Sequence, residues 1–242
     1  MDYSIIIPYR DRKSHLEVLL PRLVEMFNGK DYEIIVSEQN DADNFRIACV
    51  ENMGYLHSTG DTVIFHQVDY YPMEDVSYKV DEYPILPARR GIFLSEDMSS
   101  FRQLSDIPAG YRKWDREIDP QFYGGIIAMK RKHFEAINGF NPMYRGWGNE
   151  DEDVRERFKW AGIPVIRNST GTFYVLYHKD NCPPPNEAGR YKDFLEGREI
   201  YRNAFSWKHV GYKNLTADGQ KFQMEGYNNV WWLKSTNYEV IL

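Results

Sequence analysis

Residues 4–8 read Ser-Ile-Ile-Ile-Pro, a short apolar run closed by a proline. A run this short, apolar at successive positions, has the pattern of a strand buried on both faces in a parallel sheet. The chain outward from it agrees. Arg12–Phe27 places Leu16, Leu19, Leu20, Leu23 and Phe27 on one side of a helix. Tyr32–Val36 is a second strand and Asn44–His57 a second helix, and Gly60-Asp61 turns the chain into a third strand at Thr62–Val68. Strand, helix, strand, helix, strand predicts an α/β fold: a doubly wound, mostly parallel central sheet with flanking helices. Ligands in such sheets bind at the carboxyl ends of the strands. Pro8-Tyr9-Arg10, Glu38-Gln39 and Gln67-Val68-Asp69 all fall at such ends, which locates a site without naming a ligand.

Further along, Ile85–Ala88 reads as a strand with long loops around it, in a segment Asp75–Asp119 that has few periodicities. Phe122–Lys130 is a strand in which Gly124-Gly125 permits close backbone approach. Lys132–Asn138 is a short helix closed by Gly139. Val165–Asn168 and Thr172–Tyr177 are strands, the second delivering His178. A helix at Arg190–Ala204 and strands at Phe222–Met224 and Tyr238–Leu242 finish the chain. No linker divides it. The expectation is a single domain over 1–242, with a nucleotide-binding part at about 1–75 and an acceptor and catalytic part at about 76–242.

The 242 residues allow a sizeable core, and 42% hydrophobic with 27% charged residues is ordinary for a globular protein. A net charge of −6 argues against a broad basic surface, and so against nucleic acid as the main partner. The start, Met-Asp-Tyr-Ser-Ile-Ile-Ile-Pro, has no basic segment followed by a long apolar run. Neither a signal peptide nor a transmembrane segment is expected, and a cytoplasmic site of action is. Cys49 and Cys182 lie far apart in no metal-like spacing, and read as two free thiols or one disulfide.

Residues 145–153, Arg-Gly-Trp-Gly-Asn-Glu-Asp-Glu-Asp, carry the chemistry. A helix starts here, with Asn149 as its cap and Glu152 completing a capping box. Val154, Phe158 and Ala161 mark its buried stripe, and Glu150 and Asp151 share that face. Glu152, Arg155, Glu156 and Lys159 take the wet face. Acids are also favoured in any first helical turn by the macrodipole. The inward direction of two of them beside Trp147 points instead to a sugar site. Aromatic faces stack on pyranose rings, carboxylates accept from sugar hydroxyls, and one can act as general base on a hydroxyl nucleophile.

Taken in order, the motifs resemble the β-1,4-galactosyltransferase family, of the GT-A fold. The matching pieces are Ile6-Ile7-Pro8-Tyr9-Arg10-Asp11-Arg12 with His15-Leu16, Phe45 with Asn52-Met53-Gly54-Tyr55, and Gln67-Val68-Asp69 with Pro72-Met73. Phe122-Tyr123-Gly124-Gly125, Asn138-Gly139-Phe140, Gly146 to Asp153, and His178 follow. The resemblance implies a metal-dependent, inverting glycosyltransferase that moves galactose from UDP-galactose, with Mn2+, to a sugar hydroxyl of a glycan or glycolipid acceptor. Carried onto this chain, Pro8, Tyr9, Arg10, Arg12, Phe45, Asp69, Gly125 and Trp147 would bind the donor. Phe122, Tyr123, Trp147 and Asp151 would meet the acceptor. Asp69 and His178 would ligate the metal, Glu150 would bind sugar hydroxyls, and Asp151 would be the general base.

The chain departs from the family at four points. Gln67 stands where the family has an aspartate. Val175 stands where it has a metal-binding methionine, which leaves a water or Asp180 to complete the shell. Ile47 replaces an arginine, with Arg46 beside it. Phe122 replaces a bulky tyrosine that limits the donor's C2 substituent, which keeps the bulk and favours UDP-galactose over UDP-N-acetylgalactosamine. Transfer of N-acetylgalactosamine or another hexose in polysaccharide synthesis is the alternative activity, and a non-catalytic carbohydrate- or nucleotide-binding module the alternative class. His66, His133 and His209 read as structural.

Overall fold

The structure, a computed structural model, describes residues 1–95, 107, 109–146, 148–177, 188–203 and 209–241, with the backbone alone at 188–194. Strands β1 (Tyr3–Tyr9), β2 (Tyr32–Gln39) and β3 (Thr62–His66) alternate with helices α1 (Lys13–Met26) and α2 (Ile47–Leu56). β1 lies parallel between β2 and β3, with Ile5 opposite Ile34 on one side and Ile64 on the other. Successive side chains point to opposite faces, and both faces of β1 are covered. Ile5 and Ile7 pack with Leu16, Leu19, Leu20 and Leu23 of α1. Ile6 packs with Ala48 and Tyr55 of α2. Helices on both faces are the reason that β1 is apolar at every central position.

The elements that follow are β4 (Tyr70–Pro72), β5 (Ile85–Leu86), β6 (Arg90–Leu94), β7 (Arg112–Glu117), β8 (Ile126–Lys130), α3 (Arg131–Ala136) and α4 (Glu150–Trp160). Then come β9 (Ile166–Arg167), β10 (Thr172–Val175), α5 (Ala188–Arg202), β11 (Leu215–Gln223) and β12 (Val230–Val240). An eight-stranded sheet has the order β11-β12-β2-β1-β3-β8-β5-β9, and a four-stranded sheet the order β4-β10-β6-β7. β12, β2, β1 and β3 run parallel, and β8 joins β3 antiparallel. No described helix is long and apolar enough to cross a membrane.

Three elements differ from the sequence expectation. Segment 75–119 holds β6 and β7 as well as β5. All six residues of β7 are exposed, so no buried face imposes an alternation. Pairing with β6 and the ion pairs Arg90–Asp115 (2.6 Å) and Arg89–Glu117 (2.8 Å) hold it instead. The C-terminal region is one long hairpin, β11 to β12, rather than two short strands. Its outer strand is mostly exposed and therefore polar. β8 begins at Ile126 and not at Phe122, because Gly125 has φ +83° and breaks the extended run.

Two motif residues shape the floor of the fold. Gly54 lets α2 press onto β1: a Cβ there would lie 2.3 Å from Ile6 Cγ2. Asn52 ties α2 to the chain after α3, donating to the Phe140 carbonyl at 2.9 Å and accepting from the Phe140 amide at 3.1 Å.

Candidate active site

The ends of three segments meet beyond the carboxyl end of β3. The Gln67 amide donates to the Gly125 carbonyl at 2.9 Å, which joins the end of β3 to the glycine turn. The Leu176 amide donates to the Asp69 carbonyl at 2.7 Å, and Tyr70 pairs with Val175. β10 therefore leaves the sheet beside Asp69, and His15 Nε2 lies 3.0 Å from the Tyr177 carbonyl at its end. α4 starts against the glycine turn: a Cβ on Gly124 would stand 3.4 Å from Asp151 Oδ2, and one on Gly125 would strike the Tyr70 ring at 2.8 Å. Burial first, and then the charges of Asp69 and Asp151, push the pKa of the Tyr70 hydroxyl up.

These segments enclose a cavity of about 30 Å3 lined by Gln67, Tyr123, Gly124, Gly125, Glu150 and Asp151, with Glu51 of α2 and an apolar wall that includes Phe65 and Phe140. Glu150 Oε2 is buried with no hydrogen-bond partner among the described residues. Burial first, and the charge of Asp151 second, push the Glu150 carboxyl up to about 7. Burial also raises Asp151, but the Glu152 amide donates to its Oδ1 at 3.0 Å and the Arg155 charge favours its ionised form. Two neighbouring carboxyls thus differ in how readily they hold a charge, which suits one to donate or accept as a neutral acid and the other to take a proton.

Cations gather on the other side of the strand ends. Arg10, one residue past β1, donates to the Asp43 carbonyl. A second cavity, of about 290 Å3, is lined by Ala42, Asp43, Asn44, Arg46 and Arg145. Gly146, with φ +69°, donates its amide to the Phe45 carbonyl at 2.8 Å and so fixes the loop before α4 to the approach to α2. Tyr9 is turned into the core, edge-on to Trp232 at 5.3 Å between ring centroids. Arg12 caps the start of α1 and its side chain lies at the surface, near the Asp11 carbonyl. Pro8 pairs with Ser37 inside the sheet. Gln39 holds the loop of 41–46 through Asp41, Asn44 and Arg46, and Glu38 accepts from Trp232 Nε1 at 2.7 Å.

Tyr123, Gly125, Glu150 and Asp151 are therefore brought together at one cavity. Pro8, Tyr9, Arg10, Arg12, Phe45, Asp69 and Phe122 do not line it. Trp147, His178 and Asp180 lie outside the described residues. Val175 is buried in the core cluster beneath β10, where a valine side chain serves packing alone. His66 is structural, fully buried and 2.8 Å from the Tyr78 hydroxyl through Nε2. Cys49 is a buried free thiol that burial pushes up to about 12, and Cys182 lies outside the described residues.

The start of α4 is built differently from a capping box. Asn149 sits in the left-handed region at φ +73° and makes no side-chain cap. Glu152 instead accepts from Arg198 of α5 at 2.9 Å. Ala161 is exposed, and the buried stripe is completed by Asp153 and Arg157, an ion pair at 2.6 Å with both side chains enclosed. Glu51 was not legible as a site residue. Its signal is a single acid in the otherwise apolar run Ala48-Cys49-Val50-Glu51, on a helix whose residues from Ala48 to Tyr55 are all buried.

Comparison with known proteins follows the same outline. Residues 1–80 match the family described as the N-terminal region of glycosyl transferase group 7, and residues 107–179 the N-terminal domain of galactosyltransferase. β-1,4-galactosyltransferase 4 of Homo sapiens is 28% identical over 234 residues, covering 89% of this chain and 62% of that protein. A β-N-acetyl-D-glucosaminide β-1,4-N-acetylglucosaminyl-transferase of Lymnaea stagnalis is 31% identical over 184 residues, 72% of this chain and 34% of that one. The chain thus spans less than two thirds of the length of either curated relative. Among solved structures, the catalytic domain of Drosophila β-1,4-galactosyltransferase 7 with xylobiose superposes with a TM-score of 0.69 at 21% identity, covering 100% of this chain and 94% of that one. A mutant of the same enzyme, in complex with manganese, UDP-Gal and xylobiose, gives 0.66 at 20% identity. The shared architecture is the GT-A fold.

Proposed function

Because the chain belongs to the β-1,4-galactosyltransferase family, we propose that it is a metal-dependent, inverting galactosyltransferase, transferring galactose from UDP-galactose to a sugar hydroxyl of a glycan or glycolipid acceptor. The observation that carries this reading is the pair Glu150 and Asp151, which line one cavity together with the glycine turn. Asp151 takes the proton from the acceptor hydroxyl as that oxygen attacks the anomeric carbon. One base opposite the leaving group suffices for direct displacement with inversion, and no carboxylate nucleophile is required. Glu150 holds sugar hydroxyls. Tyr123 and Phe122, with Trp147, border the acceptor side. Pro8, Tyr9, Arg10, Arg12, Phe45 and Gly125 serve the nucleotide and its phosphates.

The donor set fits Mn2+, which carboxylate oxygen and imidazole nitrogen both suit. Asp69 and His178 would hold it. In support, the Leu176 amide on the Asp69 carbonyl brings the chain that leads to His178 alongside Asp69. Among the described residues no group of three His, Cys, Asp or Glu is placed to hold a metal ion; a water or Asp180 would complete the shell. When bound, the ion offsets the negative charge that grows on the departing nucleotide diphosphate.

The test is release of UDP from a panel of UDP-sugars, with Mn2+ and with EDTA. Metal-dependent release from UDP-galactose is the expected result. Preference for UDP-N-acetylgalactosamine would favour the alternative donor. Absence of both release and UDP binding would overturn the enzyme reading and leave a non-catalytic module.

A further inference from the structure

Glu51 is the one cavity-lining acid that the reaction above leaves unused. Its side chain is 5% exposed, and among the described residues it has neither a hydrogen-bond partner nor a counter-ion. A buried carboxyl in that condition is costly and calls for an explanation. The explanation is in what it faces. Glu51 from α2 and Glu150 from α4 line the same small cavity, together with Gln67, Asp151 and the apolar Phe65, Phe140 and Val154. Glu150 Oε2 is unpartnered there too. Two carboxyls confined together cannot both ionise, so one holds a proton and donates while its neighbour accepts. A sugar hydroxyl also donates and accepts, and a cavity of about 30 Å3 admits such a group, with the ring that carries it outside. A divalent cation is the poorer match: three acids line the cavity, but among the described residues no group of three His, Cys, Asp or Glu is placed so that it could hold a metal ion.

We propose that Glu51 is a further sugar-binding residue of this site, its carboxyl sharing with Glu150 a hydroxyl of the transferred hexose. The inference rests on the glycosyltransferase reading. Wild type, Glu51→Leu and Glu51→Gln are titrated calorimetrically with UDP and with UDP-galactose, both in Mn2+, and melted without ligand. The difference between the two ligands isolates the hexose. Glu51→Leu should melt higher than wild type, since a buried carboxyl becomes apolar at similar volume. It should bind UDP unchanged and UDP-galactose about 10- to 100-fold more weakly. Glu51→Gln, which keeps a donor and an acceptor, should lose less. Equal affinity of Glu51→Leu and wild type for UDP-galactose overturns the inference. So does a Leu variant that melts lower and loses UDP as well, which marks a residue of purely structural use. A wild type that binds neither ligand overturns the glycosyltransferase reading and this inference with it, so the UDP titration separates the two failures.

Discussion

Arg157 heads the fully buried side chains by volume, and α4 depends on it. Its Nε donates to Asp153 Oδ2 at 2.6 Å, Nη1 to the carbonyls of Ile137 at 3.1 Å and Gly139 at 3.4 Å, and Nη2 to the Val210 carbonyl at 2.6 Å. Arg157→Met keeps much of the stem volume and removes the guanidinium. Asp153, with 0% exposure, would then be a carboxylate without its counter-ion. Three carbonyls would lose a donor at the same time. Breaking a buried pair from one side costs about 3–5 kcal/mol. At roughly 2–4 °C per kcal/mol for a chain of this size, the melting temperature should fall by roughly 6–20 °C. The double variant Asp153→Leu/Arg157→Met removes both charges and should recover at least half of that loss, because an apolar replacement of a whole buried pair is often neutral. Thermal melts checked by urea denaturation measure both. A fall below about 2 °C in the single variant, or a double variant as unstable as the single, would refute the reasoning. Glu150 and Asp151 occupy the turn just before Asp153, so the single variant should also lose turnover below its melting temperature.

Asp151→Asn should lower turnover by about 100- to 10,000-fold and leave the UDP dissociation constant unchanged. Steady-state rates paired with calorimetry check this, and unaltered turnover would remove Asp151 as the base. Burial, and then the charge of Asp151, push the Glu150 carboxyl up to about 7 from an ordinary value of 4.5. The folded state therefore binds more protons between those values, and stability should fall as pH rises from the lower to the upper, then level off. Glu150→Gln should make that slope shallower and gain up to about 3 kcal/mol on wild type at pH 8. Urea denaturation at pH 5 and pH 8 reads it, and parallel slopes would contradict it. Gly125→Ala meets both φ +83° and the Tyr70 ring at 2.8 Å, whereas Gly162→Ala meets φ +67° with open space. The second should cost about 1–2 kcal/mol for the left-handed backbone alone, and the first distinctly more, with loss of turnover. Equal losses in melts of the two variants would count against a close glycine turn.

What could be read from the sequence was whatever has two different environments to report. β1, β2 and β3 are covered on both faces, so their apolar runs stand out, and α1 shows its stripe because only one of its sides is buried. β7 and β11 are strands by virtue of their partners, and a mostly exposed strand leaves no alternation to find. Glu150 and Asp151 could be placed inward by helical spacing. Asp153 and Arg157 could not, since each neutralises the other and a charged pair at that spacing reads as surface. Asn149 stands at the N-cap position that the sequence predicts but forms no side-chain cap, because Asn also tolerates the left-handed region it occupies here. Glu51 escaped notice because the pattern of its helix is read from the majority, and its meaning comes from a residue almost a hundred positions away, Glu150.

A chain of net charge −6 is an unpromising partner for a nucleotide diphosphate until the charges are mapped. Arg10, Arg46 and Arg145 stand on the side of the second cavity, beyond the ends of β1 and β2. Glu51, Glu150 and Asp151 stand at the first, beyond β3. A nucleotide sugar has the same division, anionic at its phosphates and neutral but rich in hydroxyls at its hexose. Glu51 and Glu150 are pushed up by burial, and each is better used as a protonated or shared partner for a hydroxyl. Backbone hydrogen bonds favour the ionised form of both Glu150 and Asp151, and Asp151 has in addition the nearby charge of Arg155. On the proposed reading, the general base is the acid that the Arg155 charge helps to ionise, and Glu51 and Glu150 bind hydroxyls.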